Sequence, residues 1–272
     1  MNGWRAELEL TFGNRGGRTV LAGERHRGPL LIQKTLYPEG PSPAHAIVLH
    51  PPAGIVGGDS LSLTAHCGAG AHALLTTPGA TKWYRSAASA SSETRLILAG
   101  NSRLEFLPRE SIVFSGARAQ ASMVMDVAAD ARLIGWDLWC LGRTASGERF
   151  TEGSLDLHTE LRVSGELRWL ERGRIEAGSA ALTSAAGLGG QPVFGALWAV
   201  GPELPRTVLE QCRSVTVEPD ARGALTQLPG VLVARYVGPS TEAAHGWFTA
   251  LWSLLRPVYL ELAPVFPRIW AA

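Results

Sequence analysis

At the start of the chain Trp4, Ala6, Leu8, Leu10 and Phe12 alternate with Arg5, Glu7, Glu9 and Thr11. A period of two sends successive side chains to opposite faces, which predicts a strand with one buried and one wet face. Gly13-Asn14-Arg15-Gly16-Gly17 predicts the turn after it, because glycine and asparagine accept positive φ. Strand-like runs recur at Thr19–Ala22, Leu30–Leu36, Ala46–His50, Ser60–His66, His72–Thr77, Thr94–Leu98 and Arg103–Leu107. Others follow at Arg118–Val127, Ala131–Leu141, Ser154–Val163, Glu166–Leu170, Val215–Val217 and Val231–Tyr236. Turn residues separate nearly all of them at hairpin-like spacing. The fold class expected is therefore all-β, mainly antiparallel, in stacked layers, within a single domain over residues 1–272.

Two segments carry a helical period instead. Pro205–Arg213 predicts a short helix with proline in its first turn. Ser240–Leu255 predicts the principal one, near the C-terminus. Ser240 can cap it, Glu242 suits the positive end of the helix dipole, and Ala244, Trp247, Phe248, Leu251, Trp252 and Leu255 fall on one stripe. Arg256-Pro257 should end it, since the residue before proline avoids helical geometry. The longest uncharged stretch, Ala177–Pro202, is interrupted by Gly, Ser, Thr, Gln and Pro and reads as a loop-rich segment instead of a membrane span.

Composition narrows the function classes. The chain has 272 residues, 46% of them apolar, enough to build a core and to exclude disorder. Twenty-five Lys+Arg against 24 Asp+Glu, with no basic run, argue against nucleic-acid binding. Only Lys34 and Lys82 are lysines; the other cations are arginines, which favour planar contacts at protein interfaces. Cys67, Cys140 and Cys212 are odd in number and far apart, so no disulfide framework or zinc ribbon is implied. MNGWRAELEL carries charges and no apolar core of a leader, so a cytoplasmic protein is expected.

Candidate chemistry is sparse. H-E-x-x-H, G-x-S-x-G, the P-loop and the dinucleotide fingerprint are all missing from the sequence. His50, His66, Cys67 and His72 lie in neighbouring strand-like runs and are the weak candidates for a metal site, with no permanent one expected. Two loops are over-specified. His50-Pro51-Pro52-Ala53-Gly54-Ile55-Val56-Gly57-Gly58-Asp59 fixes its backbone with two prolines, frees it with two glycines, and places Asp59 at the mouth of the next strand; a turn aspartate capping its own backbone has the same signature. Thr76–Ser86 carries Lys82, Trp83, Tyr84 and Arg85, a cation–aromatic group suited to a partner.

Those two loops, HPPAGIVGGD and TTPGATKWYRS, together resemble the urease accessory protein UreD (UreH) family. LEFLPRESIVFSGAR (Leu104–Arg118), LGRTASGERF (Leu141–Phe150), RYVGPSTEAAHGWFTALWSLLRP (Arg235–Pro257) and PRIW (Pro267–Trp270) extend the resemblance in order along nearly the whole chain. Ala53 stands where the family usually has a second glycine, and no cysteine precedes the terminal PRIW. The resemblance implies a β-rich, β-helix-like non-enzyme that docks on apo-urease and on UreF, with the GTPase UreG joining through UreF in a dimer of heteromers. It implies transient Ni²⁺ and no tightly bound cofactor. It also implies a tunnel for the ion, for which Asp59 is the first candidate and Asp137 and Glu171 the next; salt bridges of these two to Arg132, Arg143, Arg168 or Arg172 are the structural alternative. Trp247, Trp252, Arg268 and Trp270 complete the partner-binding candidates. Two other function classes remain open: a hydrolase using Cys67 or Cys140 with a histidine, and a β-sandwich module whose tryptophans stack on a ligand.

Overall fold

The computed structural model describes residues 3–271. In chain order the strands are β1 (Arg5–Arg15), β2 (Arg18–Arg27), β3 (Leu31–Ile32), β4 (Ala44–Leu49), β5 (Gly54–Ile55), β6 (Ser60–Cys67), β7 (His72–Thr76), β8 (Thr81–Trp83) and β9 (Ala90–Leu98). They continue as β10 (Arg103–Leu107), β11 (Ser111–Val113), β12 (Arg118–Val127), β13 (Arg132–Leu141), β14 (Ser154–Val163) and β15 (Glu166–Glu176). A short helix, α1 (Ala180–Thr183), precedes β16 (Val193–Val200), and α2 (Arg206–Ser214) precedes β17 (Arg222–Leu228) and β18 (Val231–Gly238). The last long element is α3 (Thr241–Leu260).

The chain coils. From β4 to β14 it passes alternately between two sheets, and each turn adds one parallel strand to each of them. The first sheet has the order β15-β14-β12-β9-β6-β1-β2, and the main path of the second is β17-β18-β16-β13-β10-β7-β4-β3. The short strands β5, β8 and β11 pair side by side at the corner of the coil. The layered, β-helix-like expectation therefore stands, but the mainly antiparallel one does not. Parallel pairings join β1-β6-β9-β12-β14 and β4-β7-β10-β13; antiparallel pairing joins β1-β2, β14-β15, β3-β4 and the block β13-β16-β18-β17, so the sheets are mixed. Period-two patterning reports which face is buried and is blind to strand direction. The turns after β1, β14 and β17 are true hairpins, but between β4 and β14 the turns that resembled hairpin turns carry the chain across to the other sheet.

One core fills the space between the sheets, and it takes Ala6, Leu8, Leu10 and Phe12 of β1 as the alternation predicted, whereas Trp4, placed on the same buried face by that pattern, precedes the strand and is exposed. A second core lies on the outer face of the second sheet, under α2 and α3. The whole predicted stripe of α3 is buried there, and Ser240 Oγ accepts from the Ala243 amide at 3.2 Å. The helix does not stop before Pro257, however, and runs on to Leu260. The loop-rich reading of Ala177–Pro202 fails at its C-terminal end, where β16 is an inner strand of the second sheet between β13 and β18. Val215–Val217 is not a strand. Among the described residues no helix is long and apolar enough to cross a membrane.

What carries α3 past its proline is a buried charge cluster. The Arg256 guanidinium is fully enclosed and binds Glu105 through Nε at 3.0 Å and Glu39 through Nη1 and Nη2 at 2.8 Å each. It also donates to the carbonyl of Ala263, which draws the tail onto the helix. Glu105, at 0% exposure, accepts from Trp252 Nε1 at 2.7 Å and bonds His72 Nε2 at 2.9 Å, while Glu39 bonds His45 Nε2 at 2.8 Å. Burial alone would raise the pKa of Glu105; the hydrogen bond from His72 and the charge of Arg256 outweigh it and hold the carboxyl below its usual range. Both glutamates are thus anions inside the protein, which is stable only while their cation is present. Replacing Arg256 with Leu should cost about 3–5 kcal/mol by leaving these carboxylates buried and unpaired, read as a lower urea-unfolding midpoint.

Candidate functional site

A cavity of about 870 Å³ lies between the sheets. Its origin is legible in the register. Across the first sheet one inward row reads Leu61, Ser92, Ala121, Leu157 and Gly173, and three of those five are too small to reach the opposite sheet. Facing them, the inward row of the second sheet reads Asp137, Ala196, Arg235 and Ala224, two of them alanines. The walls include residues of β6, β9, β12, β14 and β15, four strand spacings or about 19 Å, so the space is elongated.

Asp137 projects into it from β13. Trp139 Nε1 donates to Oδ2 at 2.8 Å, and the other carboxylate oxygen has no side-chain partner. Burial pushes the carboxyl up to about 6, against smaller opposing contributions from the Trp139 and Leu138 hydrogen bonds. Glu171, from β15 on the opposite sheet, pairs with Arg235 Nη2 at 2.9 Å. Neither acid makes the salt bridges expected from Arg132, Arg143, Arg168 or Arg172. Asp137 has an indole, and Glu171 an arginine from the facing sheet. His50 and His158 also line the space. The Nδ1 of His50 is buried and unbonded; burial lowers the pKa of its ring, and the charge of Asp59 partly restores it. His158 Nδ1 accepts from Arg172 Nε at 3.1 Å.

Asp59 itself stands outside the cavity wall. Its Oδ1 accepts the Trp4 amide at 2.8 Å and its Oδ2 the Val56 amide at 2.9 Å, so both oxygens are spent on closing the loop. The glycines before it serve the same turn. A Cβ on Gly57 would sit 2.1 Å from Ser86 Oγ, and Gly58 has φ +93°. Ala53 is also left-handed, at φ +56°, which explains why glycine suits this position.

The remaining metal candidates do not converge. His66 lies 3.5 Å from Glu9, His72 is bound to Glu105, and Cys67 donates to the carbonyls of Ala71 and Arg103. Among the described residues no three His, Cys, Asp or Glu side chains gather as a metal group. Burial pushes the Cys67 thiol up to about 11 and raises that of Cys140, the opposite of what a nucleophilic thiolate requires.

The partner candidates divide by exposure. Trp83, Trp247 and Trp252 are buried in this chain's own cores, so they present no free docking face. Trp270 is half-buried, packs on Trp136 and Trp252, and donates to Thr76 Oγ1 at 3.1 Å. Lys82 is half-buried; Tyr84, Arg85 and Arg268 are exposed. Arg85 reaches Glu152, and Tyr84 packs edge-on against Phe114 with centroids 5.0 Å apart. Sequence reasoning missed Arg235, Trp139 and His158. The one available signal was Arg235, a lone charge inside the apolar run Val231–Tyr236.

Two stability measurements check this geometry. Ala53→Gly should stabilise the fold by about 1 kcal/mol in urea unfolding, because the left-handed backbone strains any L side chain. Asp137→Asn should raise the unfolding midpoint at about pH 7.5. The raised carboxyl binds its proton more tightly folded than unfolded, so wild-type stability is lost as pH climbs from the ordinary 3.8 through about 6. The advantage of the variant should therefore vanish by about pH 4.

Comparison with known proteins accords with the motif order. The family model described as UreD urease accessory protein matches residues 5–271. A protein of Azoarcus sp. (strain BH72) named Urease accessory protein UreD is 51% identical over 269 residues, covering 98% of this chain and 94% of its own. Proteins of the same name from Dechloromonas aromatica (strain RCB) and Methylobacillus flagellatus are 49% and 47% identical, with the same coverage of 98% and 94%. The chain belongs to the UreD family of urease accessory proteins.

Proposed function

We propose that this protein is a non-catalytic chaperone of urease maturation that docks on apo-urease and on UreF, and passes Ni²⁺ through the cavity between its sheets. UreG joins through UreF, the assembly is a cytoplasmic dimer of heteromers, and nickel is cargo, not a resident cofactor. The observation that carries this reading is the elongated cavity itself, with the half-free carboxylate of Asp137 inside and Glu171 on its wall. A conduit must hold its ion weakly. One carboxylate oxygen at a time, completed by water, suits a hard-to-borderline dication without trapping it as a closed Cys/His cage would. Asp59 then acts by holding the loop that carries His50, and Tyr84, Arg85 and Arg268 remain the exposed side chains offered to partners.

The test is to block the passage without touching a carboxylate. Ala196 lies beside Asp137 in the register of β13 and β16 and faces the cavity. Ala196→Phe should lower urease activation at least about tenfold in cells, while the variant still co-purifies with UreF and apo-urease. Full activation by a variant that still binds its partners would remove the conduit from the proposal.

A further inference from the structure

An ion pair crosses between the two sheets at the cavity. Glu171 belongs to β15 and Arg235 to β18, strands that share no hydrogen-bond ladder. Their side chains are 39% and 52% exposed, so the pair sits where the cavity meets solvent. Behind it the register runs inward from Arg235 to Ala196 to Asp137, two strand spacings or about 10 Å. While paired to Glu171 the guanidinium also lies over Trp169, its carbon 5.1 Å from the centre of that ring.

This arrangement sets a problem for a dication moving along the walls. Arginine keeps its charge at every physiological pH, so it cannot be neutralised and must move. It repels an approaching cation and already occupies the carboxylate that the cation needs. An exposed ion pair opens readily, however, and an aromatic face can hold the released guanidinium. The neighbouring residues at Ala196 and Ala224 leave room for that swing.

We propose that Arg235 is the gate of the cavity, a resident cation that yields Glu171 to an incoming divalent ion by turning away from the carboxylate while Trp169 keeps hold of the guanidinium, and then displaces the ion by returning. Nothing covalent changes; the Glu171 carboxylate exchanges a guanidinium for a metal ion and back. The proposal rests on the conduit reading and adds to it a built-in competitor that keeps affinity low and release fast.

The experiment measures Ni²⁺ on the full chain, by competition with a metal-indicating chelator and by the rate of loss to excess chelator. Arg235→Gln should bind Ni²⁺ about tenfold more tightly and release it about tenfold more slowly than wild type. Arg235→Lys should fall between them, since it keeps the charge and loses the planar fork and its stacking. Asp137→Asn should weaken binding in both backgrounds. Unchanged affinity and release in Arg235→Gln, with binding still dependent on Asp137, would overturn the gate and leave the conduit standing. Binding indifferent to both residues would overturn both.

Discussion

The enclosed guanidinium of Arg256 is the interaction on which the rest of the structure hangs. It joins a helix, a loop and a sheet that are far apart in sequence: Glu39 precedes β4, Glu105 lies in β10, and Arg256 comes from α3. Its bond to the carbonyl of Ala263 then turns the tail back, so that Trp270 reaches Trp136, Trp252 and Thr76. Such a cluster adds little net stability over well-packed apolar residues, but it tolerates only one arrangement. Any other placement of α3 strands two carboxylates without their cation. The outer face of the second sheet is thereby covered, and the inner face is left to form the cavity.

The interior of the sandwich departs from ordinary core packing. Facing sheets normally fill the gap between them with interdigitating side chains. Here alanine, serine and glycine recur in the facing rows, and the space they fail to fill holds a carboxylate. Burying an acid costs free energy, and Asp137 shows that cost as a raised pKa only partly relieved by Trp139. On the proposed reading, a carboxylate with one oxygen lacking a side-chain partner stands in this space to meet a passing cation. The same reading gives Arg235, which lines the same cavity, the part of limiting how tightly it does so.

Much of the fold could be read from the chain. The alternation of β1, the stripe of α3 and the cap at Ser240 follow from local rules, and the structure obeys them except at Trp4, which lies before the strand and is exposed. Strand direction could not be read, since parallel and antiparallel strands bury the same alternate positions. β16 was hidden for a related reason: an inner strand buried along most of its length loses the alternation that marks one, and VFGALWAV then resembles any apolar stretch. Pro257 misled because the rule for the residue before proline is a local preference, and four charge-assisted bonds to Arg256 override it.

The amino-acid sequence alone determined that this is a layered β protein with a C-terminal amphipathic helix, and its ordered motifs determined the family. Those properties are written in spacing, which acts between near neighbours. Tertiary structure decided which carboxylates face a shared space. Asp59, the more conspicuous acid in sequence, is consumed by two backbone amides, while Asp137, Glu171 and Arg235 meet only because β13, β15 and β18 are brought together across two sheets. Whether a polar side chain is satisfied or free depends on partners far away in the chain, and no local pattern encodes them.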